Sequence, residues 1–171
     1  MGRWRPPPPK SSPYLTRSGF ETLQAEEKEL WDKRRVVVKA LSAAAAEGDR
    51  SENAEYIYRK KELAGLDRRI RYLQKRLPNL KVVEESTVAA TNNDKVVFGC
   101  WITLEKDDGE NDPEEVTYRI VGPDETDASA GYISMDSPLA KALLKKSPDD
   151  EVSIMLKDNK VDYVIVDIRY S

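Results

Sequence analysis

Ala43-Ala44-Ala45-Ala46-Glu47-Gly48-Asp49-Arg50-Ser51-Glu52 is the stretch on which the architecture turns. The alanine run favours helix. Gly48 stops it, because glycine accepts the left-handed conformation that ends many helices. Asp49 followed three residues later by Glu52 then reads as a capping box, with aspartate in place of Ser or Thr, that starts a second helix near Ser51. Negative charge there also suits the positive end of the helix dipole. A helix end, a turn and a helix start within ten residues fold two helices back antiparallel, provided each carries an apolar stripe to bury.

Both do. Upstream, the sequence is helical from Thr16, a suitable N-cap, to about Glu47, and Phe20, Leu23, Leu30, Val37, Leu41 and Ala44 advance by 3, 7, 7, 4 and 3. That is close to the 3.5-residue repeat of a coiled-coil seam. Downstream, Leu63, Leu66, Ile70, Leu73 and Leu77 step by 3, 4, 3 and 4 before Pro78 ends the helix. Arms of roughly 27 to 30 residues at about 1.5 Å each predict a rod about 40 to 45 Å long. The acidic turn forms its tip.

The flanks are different. Residues 1–13 contain Pro6 to Pro9 in a row and Pro13 after two serines, a composition for an extended, disordered tail. Residues 14–81 make the hairpin. From residue 82 to residue 171 the periodicity changes to two: Val96, Phe98, Cys100, Ile102 and Leu104 share one face of a strand, and Val116 to Val121, Glu151 to Leu156 and Val161 to Ile168 are further strands. Asp107-Asp108-Gly109 and Asp158-Asn159 are turn chemistry, and Glu110 to Glu115 adds an acidic loop. Ser137-Pro138 opens a short amphipathic helix running to Lys146. The expected class is α+β, a two-helix coiled-coil hairpin joined to a small, mostly antiparallel sheet domain with one short helix.

Composition narrows the chemistry. With no histidine and one cysteine, a disulfide within the chain is excluded and a Cys/His zinc site is not expected. A reducing, cytoplasmic setting is expected, with no membrane partner and no lipid anchor, since Pro6 stands where a myristoylation motif needs Ser or Thr. Residues 1–49 carry 9 basic and 7 acidic groups, residues 50–81 carry 10 and 4, and residues 82–171 carry 9 and 20. The second helix is therefore the basic part, suited to a polyanion, and the last domain is acidic. Cys100, among apolar neighbours on a strand, reads as a buried, inert thiol.

Read alone, Asp49 and Glu52 do no more than start a helix. They are also two carboxylates on one side of a turn at the end of a rod, where no core requires them. Hard cations such as Mg²⁺ are bound through one or two carboxylates with water and a phosphate-bearing substrate. Such a tip is half a metal site, effective only where another macromolecule supplies the rest.

The segment Glu47 to Tyr56, EGDRSENAEY, resembles the tip motif of the bacterial transcript cleavage factors GreA and GreB, and Tyr132 to Ala140, YISMDSPLA, resembles that family's C-terminal signature. The resemblance extends from Tyr14-Leu15-Thr16 to the final strand. Arg50 with the runs Tyr58 to Lys61 and Asp67 to Arg76 is closer to the GreB branch than to GreA. Against the family pattern, the proline-rich tail has no counterpart, Pro78 is expected to shorten the second helix, and Asp107 to Glu115 reads as a longer, more acidic loop.

The resemblance implies an FKBP-like C-terminal domain and a monomeric factor that is not itself an enzyme. Its hairpin would enter the secondary channel of bacterial RNA polymerase when the enzyme has backtracked, and the nascent RNA 3′ end would be cut by the polymerase's own active centre. Asp49 and Glu52 would help to hold a shared Mg²⁺ and position the attacking water, with Ser51 a further candidate for contacting that water. Arg59, Lys60, Arg68, Arg69, Arg71, Lys75 and Arg76 would contact RNA phosphates. Two alternatives are a channel-binding regulator without cleavage and a coiled-coil RNA-binding adaptor.

Overall fold

The computed structural model describes residues 10–48, 52–90 and 94–170. Its elements run β1 (Tyr14–Thr16), α1 (Arg17–Ala46), α2 (Ala54–Arg76), a single 3₁₀ turn (Leu77–Asn79), β2 (Lys81–Val83), α3 (Glu85–Ala90), β3 (Trp101–Asp107), β4 (Glu114–Val121), β5 (Tyr132–Ser134), α4 (Pro138–Leu143), β6 (Glu151–Leu156) and β7 (Asn159–Arg169). The class is α+β, as the sequence predicts. One compact unit is Ser18–Leu80; the other joins the segment ending at Arg17 to the chain from Lys81 onward. The hairpin unit begins later than residue 14 because Tyr14, Leu15 and Thr16 pair in parallel with Lys81, Val82 and Val83.

In the hairpin unit all eleven predicted seam positions are buried or half-buried, with Leu23, Val37, Ala44, Ile70 and Leu73 fully so. Partners run antiparallel. Glu26 meets Arg69, Arg34 meets Asp67, and Ala44 meets Asn53. The proline stop falls as expected, with Pro78 inside the 3₁₀ turn that follows α2.

The other unit contains a five-stranded sheet in the order β5-β4-β3-β7-β6. The pairing is antiparallel except between β4 and β5, which is parallel. Its core includes Ile102, Leu104, Ile120, Leu143 and Ile165, each 0% exposed. The period-two stretch from Val96 is not all strand. Val96 and Cys100 are buried as read, but β3 begins only at Trp101, because Gly99 adopts φ +88 and turns the chain first. The short helix keeps its Ser137 cap, whose hydroxyl oxygen accepts from the Ala140 amide at 3.2 Å, yet ends at Leu143 rather than Lys146. In the acidic loop, the Asp108 carboxylate accepts the amides of Asn111 and Glu110, which hold it below the usual carboxylate range.

Three features unannounced by periodicity hold the start of the chain to this unit. Besides the β1–β2 pair, the Thr16 amide and hydroxyl both donate to Glu125, and the Ser12 amide donates to Asp136 at 2.8 Å. The approach of β1 is close enough that a Cβ on Gly122 would lie 2.1 Å from the Tyr14 carbonyl oxygen.

Candidate functional site

The second helix does not start where the capping box suggests. Its N-cap is Asn53, with extended backbone (φ −84, ψ 100), and the carboxamide oxygen accepts from the Tyr56 amide at 3.0 Å. The first helical bond follows, from the Ile57 amide to the Asn53 carbonyl at 3.1 Å. The same carboxamide donates through Nδ2 to the carbonyl oxygen of Ala44, in the last turn of α1, at 2.8 Å. Asn53 is thus both the cap of one helix and a clasp on the other.

Glu52 sits in the turn immediately before the cap and is exposed. Glu55, not Glu52, supplies the acid of the first helical turn, and it is spent on Arg59. Among the described residues none hydrogen-bonds or ion-pairs with the Glu52 carboxylate. Asp49 and Ser51 lie outside the described residues. Gly48, at φ +132, is the left-handed stop read from the sequence.

A carboxylate oxygen on an exposed turn residue has the hardness Mg²⁺ prefers. Among the described residues no three Asp, Glu or Cys side chains gather closely enough to hold a metal by themselves. Glu52 fits a contributor to a shared ion rather than the wall of a self-sufficient site.

The seven basic residues divide. Arg59 lies on the seam side of α2, between Glu55 and Glu62, with both pairs at 3.0 Å or less. Those two hydrogen-bonded carboxylates raise its pKa above the ordinary guanidinium value. Arg69 makes a two-pronged pair with Glu26 of α1, at 2.7 and 2.8 Å, and this holds Glu26 below its ordinary 4.5. Lys60, Arg68, Arg71 and Lys75 are exposed. At roughly 100° per residue these four fall within about 80° of one another, opposite the seam, and span about 22 Å of helix. Lys61, omitted from the expected set, is exposed and joins the same face. Arg76 is half-buried and sits to one side of it. Tyr72, 41% exposed, stands beside the stripe with the Arg69 guanidinium over its ring at 5.2 Å.

In the sheet unit a hollow of ≈ 280 Å³ is lined by carboxylates including Glu105, Asp107, Glu151 and Asp162, with Lys160 paired to Asp162. It lacks the apolar lining of a ligand pocket. Cys100 is fully buried, and loss of solvent pushes its thiol up to about 11.

A helical hairpin with a basic arm, followed by a small sheet unit, is an arrangement whose two parts both have known relatives. The family model described as "Transcription elongation factor, N-terminal" matches residues 13–82, and "Transcription elongation factor, GreA/GreB, C-term" matches residues 90–170. Transcription elongation factor GreB of Xanthomonas axonopodis pv. citri is 55% identical, covering 100% of this chain and 99% of its own. GreB of Pseudomonas aeruginosa is 49% identical, covering 99% and 98%. A solved structure titled as a prokaryotic transcription elongation factor GreA/GreB from Nitrosomonas europaea is 19% identical, with a TM-score of 0.40, covering 93% of this chain and 100% of that one. Thermus aquaticus Gfh1 is 23% identical, with a TM-score of 0.42, covering 94% and 99%. On the sequence matches, which span both units, the chain belongs to the GreA/GreB family of transcription elongation factors.

Proposed function

We propose that the hairpin enters the secondary channel of bacterial RNA polymerase and stimulates cleavage of the 3′ end of backtracked nascent RNA. The observation that carries this reading is the position of Glu52: exposed, outside the helix, and relieved of capping duty by Asn53. A carboxylate with no structural task, next to the end of a thin helical pair, is suited to a site completed by another macromolecule.

In this mechanism Asp49 and Glu52 offer carboxylate oxygens toward the polymerase active centre, and the Ser51 hydroxyl holds the attacking water. The shared Mg²⁺, when bound, lowers the pKa of that water and offsets charge on the departing oxygen. Lys60, Arg68, Arg71 and Lys75 attract the displaced RNA strand through its phosphates. The chain is then not an enzyme alone; it donates groups to one.

Halted, backtracked elongation complexes supplied with Mg²⁺ and the purified factor provide the test. Release of a short RNA bearing the original 3′ end is expected. Asp49→Ala and Glu52→Ala should each lower cleavage by about 100-fold or more, the scale of removing a transition-state charge stabiliser, while competition for polymerase stays within about twofold, an affinity change below about 0.5 kcal/mol. No fragment from the wild-type factor would refute the reading. Equal loss of binding and cleavage would return both acids to a merely structural role.

A further inference from the structure

We infer that Asn53 is a positioning residue for the acidic turn, closing the turn at its neck so that Glu52 is presented in one orientation. The inference rests on the cleavage reading above and names a residue that the carboxylates depend on.

The geometry uses both ends of one carboxamide. Its oxygen accepts from Tyr56 N at 3.0 Å and its nitrogen donates to Ala44 O at 2.8 Å. The two helices are thereby tied across nine positions of sequence, Ala44 to Asn53, by a side chain that is itself half-buried. Asn is the side chain for this task. Asp and Ser can cap as acceptors, but Asp has no proton for the Ala44 carbonyl at neutral pH, and Ser is too short to reach both partners. The Ala44 carbonyl lies in the last turn of α1 and also accepts the Glu47 amide at 3.3 Å, so the Nδ2–H adds a second, shorter bond to an acceptor at the helix end.

The consequence falls on Glu52 through the main chain. Asn53 is fixed at φ −84, ψ 100, with both polar atoms engaged, and the peptide carrying Glu52 is anchored to it. Without the clasp, the connection between Ala46, the last residue of α1, and Asn53 loses its side-chain tie from one helix to the other. Orientation then has to be found at the moment of reaction, and misplacement of about 1 Å costs about 100-fold in rate. A cap alone would not need an amide; the second bond is the observation that separates positioning from helix initiation.

Asn53→Asp provides the discriminating variant, because it keeps the cap and improves the charge at the helix N-terminus while deleting the donor to Ala44. Asn53→Ser does the same without adding charge. With full-length factor on backtracked complexes, both variants should cleave about 10- to 100-fold more slowly at saturating concentration, while the factor concentration giving half-maximal rate moves less than about twofold. In the free protein, hydrogen exchange at the amides of Glu47 to Glu52 should rise about tenfold, with protection unchanged along the seam from Leu63 to Leu73. Cleavage within twofold of wild type by both variants would overturn the inference, as would a rate loss matched by a loss of binding or of seam protection. The exchange measurement needs no cleavage, so a wild-type factor that fails to cut defeats the proposed function while unchanged exchange defeats the clasp.

Discussion

The hairpin unit and the sheet unit bury their apolar residues in opposite styles. The sheet unit has a closed core, with Ile102, Leu104, Ile120, Leu143 and Ile165 all at 0% exposure. The hairpin has one seam in which Leu23, Val37, Ala44, Ile70 and Leu73 are buried and the other six positions are half-buried. Two helices cannot enclose a side chain on all sides, so the seam is supplemented by cross-helix ion pairs, Arg34–Asp67 and Arg69–Glu26. The difference teaches what each part is for. A thin helical pair gives up core to gain reach and exposed polar surface, and a compact sheet supplies the stability that the pair lacks.

The comparison can be broken by mutation, and the largest effect should come from the sheet. Ile102→Ala should cost about 3 to 5 kcal/mol, read as a lowered urea midpoint with near-ultraviolet dichroism of Trp101 as probe. Leu73→Ala should cost about 2 to 4 kcal/mol, read as loss of 222 nm helical signal. An equal or greater loss from Leu73 would mean that the hairpin, not the sheet, is the stable part.

A smaller effect is expected from the exposed stripe. Changing Lys60, Arg68, Arg71 and Lys75 together to Ala should shift stability by less than about 1 kcal/mol. The same change should reduce the slope of log binding against log salt for single-stranded RNA by about 3, from four phosphate contacts at about 0.7 each. Undiminished slope would reassign the stripe to solvation. Smallest of all is a pH effect. Arg69 holds Glu26 below its ordinary 4.5, so the pair's contribution is fully present above that value and is lost as pH falls through the lower folded value. Between pH 6 and pH 8 the hairpin's melting should be flat; acidification below about 4.5 should destabilise wild type more than Glu26→Gln, by no more than about 1 kcal/mol for so exposed a pair.

Much of this is legible in the amino-acid sequence. The seam steps, the Gly48 stop, the Pro78 stop and the Ser137 cap each follow from a local rule that tertiary contacts have no reason to override. The Asn53 cap is masked in the sequence because Asp49 and Glu52 match a stronger-looking pattern that begins four residues earlier; the preference of asparagine for N-caps is the signal available. Its bond to Ala44 could not be read at all, since it depends on where the first helix ends in space. The same holds for Arg59 and Arg69, whose charges looked available until Glu55, Glu62 and Glu26 were found against them. The β1–β2 pair escaped because three-residue strands have no period, and their partners lie on either side of the hairpin. Strand alternation also misled at Val96 to Cys100, where burial alternates but Gly99 bends the backbone.

That short parallel pair has a further meaning. Parallel neighbours cannot be joined by a tight turn, because the chain leaves one end and must re-enter at the other; a crossover of a dozen or more residues is required. The whole helical hairpin is therefore, in topological terms, one oversized connection between two adjacent strands. A connection of this kind can lengthen or shorten by matched heptads in both arms, about 10 Å per step, while Tyr14 still meets Lys81. Reach is then set by arm length, independently of the strand pair that the hairpin connects.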